Sequence, residues 1–255
     1  MKIAVFIKQV PDTQDVQWTE NNNIDRTKME SIMNPVDRQA IEAALQIKEK
    51  TNAYVTVITM GPGKAQRVLE EAIAMGVDDA YLLFDAKFAG SDTWATSLVL
   101  SSVIKSRMND TNLIIFGQTA IDGETGQTGI STATRLNFPC ISHVTSIVNV
   151  SEEEIEVVSE TEKERITSKA QFPVALCINN FDKKPRVPKI NGYIRAKDYY
   201  YNIFNASDIY LDATQIGVKG SPTYVSKVYR SQNKRTCEYI NTTKELADKI
   251  KGVIE

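Results

Sequence analysis

Residues 113–129 read Leu113-Ile114-Ile115-Phe116-Gly117-Gln118-Thr119-Ala120-Ile121-Asp122-Gly123-Glu124-Thr125-Gly126-Gln127-Thr128-Gly129. An apolar run bounded by glycine is typical of a buried strand, and the segment rich in Gly, Thr and Asp behind it predicts a helix start at residues 130–136. Such a junction presents unpaired backbone N–H groups and the positive end of a helix dipole, so it can hold phosphate without a lysine. An ordinary capped turn has the same pattern, and the loop alone does not separate the two interpretations.

Apolar runs and helical patterns alternate before this segment. The predicted strands are residues 3–7, 54–60 and 80–84, and the predicted helices are residues 64–75, residues 92–108 and a helix that begins at Pro35 with Asn34 as its N-cap. Regular alternation at this spacing predicts an α/β fold with a mainly parallel, doubly wound sheet. In such a fold, ligands bind at the carboxyl ends of the strands.

The pattern changes beyond about Pro139. Residues 144–150 and 154–158 alternate between apolar and polar, which predicts a β-hairpin excursion near residues 143–170. Residues 173–178 return as a core strand, and residues 179–205 are polar, basic and interrupted by proline. We therefore expect an α/β nucleotide-binding domain over residues 1–205. Residues 206–255 are expected to form an extended C-terminal arm that packs on a partner subunit and ends in a short amphipathic helix, opened by the capping box Thr242-Thr243-Lys244-Glu245.

Composition excludes several classes of protein. The chain has 255 residues, 42% of them hydrophobic, which is enough for one sizeable core. Its net charge of −2 provides no long-range field for nucleic acid or an anionic membrane. Three widely spaced cysteines and a single histidine, His143, argue against a disulfide scaffold, a zinc site or an iron–sulfur cluster. Without a presequence or a long apolar stretch, we expect a soluble, cytoplasmic protein that does not insert into membranes.

Catalytic motifs are missing from the sequence. Gly61-Pro62-Gly63 resembles the start of a dinucleotide fingerprint, but Gln66 stands where the third glycine belongs. The chain contains no Walker lysine loop, no nucleophile elbow and no H-E-x-x-H motif. His143 has no adjacent partner to orient it as a base, which favours a structural role. We therefore predict no catalytic residue and no metal site.

Six segments, in order and over roughly residues 1–225, resemble the signature of the electron transfer flavoprotein beta subunit. They are Lys8-Gln9-Val10-Pro11-Asp12-Thr13, Met33-Asn34-Pro35-Val36-Asp37, Met60-Gly61-Pro62, residues 71–78, residues 117–129 and Lys184-Pro185-Arg186. The resemblance implies a Rossmann-like fold and a heterodimer with an alpha subunit, which carries electrons between dehydrogenases and an acceptor. The beta subunit would supply an adenine-nucleotide site and a docking surface.

The resemblance also implies which residues bind the nucleotide. These are Phe6, Asn34, Asp37, Met60, Gly61, Asp92, Thr93, Thr96, Gly117, Asp122, Gly123, Glu124, Thr125, Gly126, Gln127 and Thr128. Their chemistry fits, because backbone at the strand ends can line an adenine slot while amide and hydroxyl groups donate to phosphate. Asn34 and Asp92 are also suited to plain helix capping, whatever binds nearby.

The identity of the nucleotide depends on the branch of the family. Members that only carry electrons hold AMP, whereas members that bifurcate electrons hold a second FAD at the same adenylate site. Residues 216–223, which contain Gly220-Ser221-Pro222-Thr223, and the helix start at residues 92–96 resemble the bifurcating branch. The resemblance therefore favours FAD, with AMP as the alternative.

Two departures from the family pattern stand out. Gln118 replaces the usual lysine, which leaves phosphate neutralisation to backbone dipoles and the partner subunit. In the docking loop, residues 184–195, the usual leucine-proline is Ile190-Asn191. An apolar side chain on a proline-held loop suits an anchor for an acyl-CoA or other flavin dehydrogenase, because the proline limits the entropy lost on binding. The predicted docking residues are Arg186, Pro188, Ile190, Tyr193 and Ile194.

The sequence thus predicts the beta subunit of an electron transfer flavoprotein, which passes electrons between flavins and a docked dehydrogenase. The alternative is a stand-alone adenine-nucleotide-binding or sensor module of similar fold. A nicotinamide dehydrogenase is a third interpretation, opposed by the missing third glycine.

Overall fold

A computed structural model describes residues 1–12, 31–224, 226 and 239–254. Thr13 of the first signature segment and Cys237 lie outside these residues. The strands are β1 Lys2–Ile7, β2 Gln9–Pro11, β3 Ser31–Met33, β4 Tyr54–Met60, β5 Asp79–Leu83, β6 Leu113–Gly117, β7 Cys140–Val150, β8 Glu154–Glu160, β9 Arg165–Gln171, β10 Val174–Ile178 and β11 Asn202–Phe204. The helices are α1 Pro35–Thr51, α2 Gln66–Met75, α3 Thr93–Arg107, α4 Thr128–Leu136, α5 Ile190–Lys197, α6 Gly217–Gly220 and α7 Thr243–Ile254.

The main sheet of the described residues has nine strands in the order β11-β5-β4-β1-β6-β10-β7-β8-β9. All pairs from β11 to β7 are parallel, and β8 and β9 continue the sheet in antiparallel pairs. This confirms the predicted α/β fold with a mostly parallel sheet and an antiparallel excursion. The central strands are apolar along their whole length because helices cover both of their faces.

The hydrophobic core has one layer on each face of the sheet. Alternate residues of a strand point to opposite faces. Val5 of β1 therefore packs among residues of α1 and α2, whereas the next residue, Phe6, packs among residues of α3 and α4.

The chain reverses its direction across the sheet at β1. From β1 it proceeds to β4 and β5 on one side, and later to β6 and β10 on the other. Phe6 is in register with Ile58 of β4 and with Phe116 of β6. In an open α/β sheet, a crevice forms at such a switch point, outside the carboxyl ends of the two strands. This places the end of β1 and the loop after β6 side by side.

The excursion contains three strands, one more than the predicted hairpin. The start of β7 pairs in parallel with β10, and the rest of β7 pairs antiparallel with β8. The added strand, β9, is an edge strand with mostly exposed residues. Its sequence shows little apolar alternation because no second layer covers it, so periodicity did not reveal it.

Residues 179–205 are more regular than their sequence indicated. They contain helix α5, and strand β11, which pairs in parallel with β5 at the far edge of the sheet. The docking segment is therefore a loop only as far as Lys189, and Ile190 is the first residue of α5. Helix α5 packs very closely on α2, since a Cβ atom at Gly192 would lie 2.2 Å from the carbonyl oxygen of Ala74. This tertiary contact stabilises a helix too short to be stable alone.

The C-terminal arm ends in the predicted amphipathic helix, α7. Thr242 Oγ1 accepts a hydrogen bond from the backbone N–H of Glu245, 3.3 Å away. The Glu245 carboxylate accepts a hydrogen bond from the N–H of Asn241 at 3.2 Å. A capping box would instead use the N–H of Thr242 as the donor. The apolar side chains of Leu246 and Ile250 remain 46% and 49% exposed. No helix among the described residues combines the length and apolar content that a membrane span requires.

Candidate functional site

Asn34 lies beside the switch point, immediately before α1. This residue occupies the N-cap position of α1, as predicted, but its side chain does not cap the helix. Its amide donates to the carbonyl oxygen of Thr119 at 2.9 Å and accepts from the N–H of Ile121 at 3.3 Å. Because the Asn34 side chain is fully buried, these bonds fix the 117–128 loop against the start of α1.

Asp37 lies in the first turn of the same helix and is also buried. One carboxylate oxygen accepts from the N–H of Lys8 at 2.7 Å, and further hydrogen bonds come from Asn34 and the N–H of Gly117. Burial raises the pKa of Asp37 from 3.8 to about 7, and these hydrogen bonds oppose the rise. Asp37 thus joins the ends of β1 and β6 to the start of α1.

Gly117 is the position where this arrangement excludes a side chain. A Cβ atom there would lie 2.2 Å from Oδ1 of Asp37 and 3.0 Å from the Asp37 nitrogen. Gly126 has a φ of +63°, which L side chains rarely adopt. At Gly123, by contrast, no atom lies within 4 Å of an added Cβ. The glycines of the loop therefore differ, since Gly117 and Gly126 are required by the backbone and Gly123 is sterically free.

The loop between β6 and α4 is compact and presents polar groups to solvent. The N–H groups of Gly123 and Glu124 both donate to the carbonyl oxygen of Ala120, at 3.2 and 2.8 Å. Helix α4 follows from Thr128, and the first-turn amides of a helix lack intrahelical acceptors. Four predicted site side chains of the loop are exposed: Asp122, Glu124, Thr125 and Gln127.

Gln118, which replaces the family lysine, faces away from solvent. Its N–H donates to the carbonyl oxygen of Ile178 at 2.8 Å. Its side-chain oxygen accepts from the N–H of His143 at 2.9 Å, where β7 has a φ of +55°. The side chain that replaces the lysine therefore joins the loop to β7 and does not supply a charge.

Lys8 supplies a cation that sequence reasoning missed. Its Nζ atom lies 2.7 and 2.8 Å from the two carboxylate oxygens of Asp122, across the crevice from β1 to the loop. The signal was present, because Lys8 opens the first signature segment. Its significance was not visible because the two residues are 114 positions apart.

The predicted site residues on β1 and β4 contribute little side-chain surface. The ring of Phe6 stacks on that of Phe116, with centroids 4.6 Å apart, and is 4% exposed. Met60 is partly buried against the same core layer. Gly61 donates its N–H to the carbonyl oxygen of Leu83 at 3.1 Å. A ligand at the carboxyl end of β1 would therefore meet the backbone at Phe6, because the ring is buried.

Asp92, Thr93 and Thr96 lie at the start of α3. Asp92 caps the helix by accepting from the N–H of Ala95 at 3.0 Å, and it accepts from both the N–H and the hydroxyl of Thr223, at 3.0 and 2.8 Å. Burial raises the pKa of Asp92, but these hydrogen bonds outweigh it and hold the pKa below its ordinary value. The Thr93 hydroxyl lies 3.4 Å from the side-chain oxygen of Gln127, so the starts of α3 and α4 converge. Thr96 is partly buried one turn further on.

The predicted docking residues form a separate surface. Arg186 anchors it, because its guanidinium bonds both carboxylate oxygens of Glu42, at 2.8 and 2.9 Å, and Glu49 at 2.7 Å. Pro188, partly buried, leads into α5. On α5, Ile190, Tyr193 and Ile194 are 79%, 54% and 58% exposed. Their spacing of three and four residues places them on one face of the helix, and we call these three residues the α5 patch.

The α5 patch and the crevice lie at opposite ends of the strands of the sheet. Arg195 of α5 donates to the carbonyl oxygens of Val77 and Asp78, at 2.6 and 3.2 Å. These two residues immediately precede β5, so they mark the amino ends of the strands, whereas the crevice lies at the carboxyl ends. A strand length, roughly 20 Å, separates the two surfaces.

The chain is similar in sequence to proteins of a known family over most of its length. A family model described as electron transfer flavoprotein domain matches residues 22–187. The electron transfer flavoprotein subunit beta of Megasphaera elsdenii is 39% identical over 236 residues, which cover 90% of this chain and 87% of the relative. That of Thermoanaerobacterium thermosaccharolyticum is 36% identical over 100% of this chain and 97% of the relative. The caffeyl-CoA reductase-Etf complex subunit CarD of Acetobacterium woodii is 37% identical over 95% of this chain and 93% of the relative.

Proposed function

The chain belongs to the electron transfer flavoprotein family as a beta subunit, and from this premise we propose that its crevice binds an adenine nucleotide and that its α5 patch docks a flavin dehydrogenase. Beta subunits of this family work in electron transfer complexes with alpha subunits. The name of the Acetobacterium woodii relative links it to a reductase complex. The nucleotide, the docking contact and the cytoplasmic location are predictions for this chain.

One observation carries the nucleotide proposal: two buried polar side chains hold the loop after β6 in place. Asn34 and Asp37 direct their hydrogen bonds to residues 117–121 and to Lys8. Burying polar groups is costly unless their hydrogen bonds are made, so this arrangement favours a loop of fixed shape. A fixed loop at a switch point, followed by a helix N-terminus, is suited to an adenine nucleotide with its phosphate at the helix start.

The donor groups around the crevice fit such a ligand. Backbone amides at the start of α4, the hydroxyls of Thr93 and Thr125, and Lys8 can all donate to phosphate oxygens. Bound FAD would supply a flavin for redox chemistry, whereas AMP would be a structural ligand. This chain's residues would bind and orient the adenylate part in either case.

We favour FAD, and with it the electron-bifurcating type, because of residues 220–223. Ser221 Oγ accepts from the N–H of Asp92 at 2.9 Å, and the Asp92 carboxylate accepts from Thr223. These bonds hold the segment that resembles the bifurcating branch at the start of α3, one residue from Thr93 and its contact with Gln127. We propose that a ligand longer than AMP extends from the crevice towards this position.

The nucleotide content of the purified heterodimer tests this proposal. The chain is co-expressed with its alpha subunit, and the nucleotides are extracted, separated and quantified. We expect two FAD per heterodimer. One FAD with one AMP would support the adenylate site but contradict the bifurcating type, and a heterodimer without nucleotide attributable to this chain would contradict the site itself.

The exposed apolar surfaces favour a subunit over a stand-alone sensor module. Leu246 and Ile250 are half exposed on α7, a geometry that suits packing on the alpha subunit. The α5 patch is a second such surface, and exposed apolar patches mark interaction sites. A colourless monomer that binds ATP would support the sensor interpretation instead.

Ile190 is expected to anchor the docked dehydrogenase. Because its side chain is 79% exposed, Ile190→Asp should leave the fold intact while it places a charge in a desolvated contact. We expect the second-order rate of flavin reduction by an acyl-CoA dehydrogenase that reduces the wild-type complex to fall roughly thirtyfold, equivalent to about 2 kcal/mol. Stopped-flow absorbance measures this rate.

Val148→Asp is the matched control for the docking experiment. Val148 is 49% exposed on the antiparallel excursion, away from α5. The dehydrogenase should reduce the flavin of the Val148→Asp complex at the wild-type rate. Equal rates for Ile190→Asp and wild type would show that the α5 patch is not the docking site.

A further inference from the structure

The loop that would face a phosphate carries an unfavourable charge. Residues 117–128 include the exposed carboxylates Asp122 and Glu124 but neither lysine nor arginine. Backbone dipoles at the start of α4 offset this charge only in part, because a helix N-terminus is equivalent to roughly half a positive charge. An anionic ligand therefore needs a cation from another element.

Among the described residues, the arginines of the two helices beside the crevice, α1 and α4, are already engaged. Arg38 of α1 forms an ion pair with Glu71. Arg135 of α4 lies over the ring of Trp94, 4.2 Å from its centroid, and donates to Ser97 at 3.0 Å. Gln118 bonds the backbone of β7 and carries no charge.

Lys8 is positioned to serve the crevice. Its backbone is fixed at the end of β1 by the hydrogen bond to Asp37, whereas the side chain is 50% exposed. The Lys8 side chain already crosses the crevice, and its Nζ atom contacts Asp122, whose side chain is 29% exposed. An ion pair with this much solvent access contributes little to stability, so Lys8 can exchange it for a more strongly charged acceptor at little cost. A phosphate offers up to two negative charges and three acceptor oxygens.

We propose that Lys8 is the phosphate-binding cation of the crevice and that its ion pair with Asp122 is the contact it exchanges when an adenine nucleotide binds. This inference rests on the proposed nucleotide site. Lys8 thereby takes the charge role that Gln118 leaves empty, from the opposite side of the crevice. Asp122 competes with the phosphate for the same ammonium group.

The ratio of AMP affinity to adenosine affinity tests the role of Lys8, because only AMP carries the phosphate. The heterodimer is stripped of nucleotide, and both ligands are titrated by calorimetry. Lys8→Met should lower the ratio at least about tenfold, as expected for the loss of a charge-assisted hydrogen bond. Lys8→Arg should retain most of the ratio. Asp122→Asn should raise the ratio, because it frees Lys8 and removes a negative charge.

Lys2→Met is the matched control. Lys2 forms an ion pair with Asp110 at the opposite end of β1, so its loss removes the same charge far from the crevice. Its affinity ratio should equal that of the wild type. The salt dependence of AMP binding should weaken in Lys8→Met and remain unchanged in Lys2→Met.

Two results would overturn the inference and leave the proposed function intact. An unchanged ratio in Lys8→Met would remove Lys8 from phosphate binding. A ratio that falls as far in Asp122→Asn as in Lys8→Met would show that the ion pair only holds the loop. A wild-type heterodimer that binds neither AMP nor adenosine after stripping, and carries no FAD in the site, would instead defeat the proposed function, and this inference with it.

Discussion

Gly117→Ala is expected to abolish nucleotide binding and to lower the free energy of unfolding by about 3 kcal/mol, the upper end of the usual cost of overpacking. The added Cβ would lie 2.2 Å from Oδ1 of Asp37 and 3.0 Å from the backbone at Val36 and Asp37. Asp37 cannot yield, because its carboxylate is buried and bonded to the N–H of Lys8. The substitution therefore separates β6 from α1 where the crevice is built. Denaturant unfolding and nucleotide quantification measure the two effects.

Gly123→Ala is the stability control in the same loop. An added Cβ there meets no atom within 4 Å, so the free energy of unfolding should change by less than about 0.5 kcal/mol. Similar destabilisation by both substitutions would contradict the steric argument. Full nucleotide content in Gly117→Ala would show that the contact between Gly117 and Asp37 does not shape the site.

Arg186→Met is expected to lower the free energy of unfolding by about 3 kcal/mol, the lower end of the cost of breaking a buried ion pair, because it leaves a buried carboxylate without its charged partner. The Glu42 side chain is only 7% exposed. Burial alone would raise the pKa of Glu42, but hydrogen bonds from Arg186 outweigh it and hold the pKa below its ordinary value of 4.5. In the variant, only the backbone N–H of residue 186 and the Gln46 side chain still oppose burial, so the pKa of Glu42 should rise relative to that in the wild type. The segment before α5 should also be held less firmly against α1, and under the proposed docking at the α5 patch this should slow electron transfer from the dehydrogenase.

The destabilisation by Arg186→Met should depend on pH. In the wild type, the lowered pKa of Glu42 stabilises the fold at pH values above the pKa of Glu42 in the unfolded chain. This contribution is lost as the pH falls through the pKa of the folded state. In the variant, the pKa of Glu42 lies closer to its unfolded value, so this contribution to stability shrinks. The difference between the two proteins should therefore be large at pH 7 and smaller near pH 4. Denaturant unfolding at several pH values measures it.

Glu49→Gln is the control for this network. Glu49 also bonds Arg186, but its side chain is 62% exposed. The loss of an exposed ion pair should cost less than about 1 kcal/mol. An equal loss in both variants, or a pH-independent loss in Arg186→Met, would contradict the role assigned to the buried Glu42.

Local sequence signals predicted the elements around the crevice closely. The predicted strand at 113–116 is Leu113–Gly117 in the structure, and the helix expected from residue 130 begins at Thr128. Asn34 and Pro35 marked the start of α1 correctly. Glycine, proline and apolar periodicity act over a few residues, so a sequence alone carries these signals.

Local signals failed where a short element depends on distant support. The sequence predicted a loop where helix α5 lies. The prediction failed because the stability of this short helix comes from its contact with α2 at Gly192. Strand β11 has three residues and forms only because β5 offers an open edge. Periodicity cannot register contacts of this kind, because the stabilising partner lies more than a hundred positions away.

The sequence by itself determined the alternation of strands and helices, the family signature and the positions of the loop glycines, because each depends on neighbouring residues. Only the tertiary structure decided that Asp37 is buried, that Gln118 turns towards β7 and that Lys8 faces Asp122. Burial and ion pairing depend on the distance between side chains in space. The fold sets these distances when it brings the ends of β1 and β6 together.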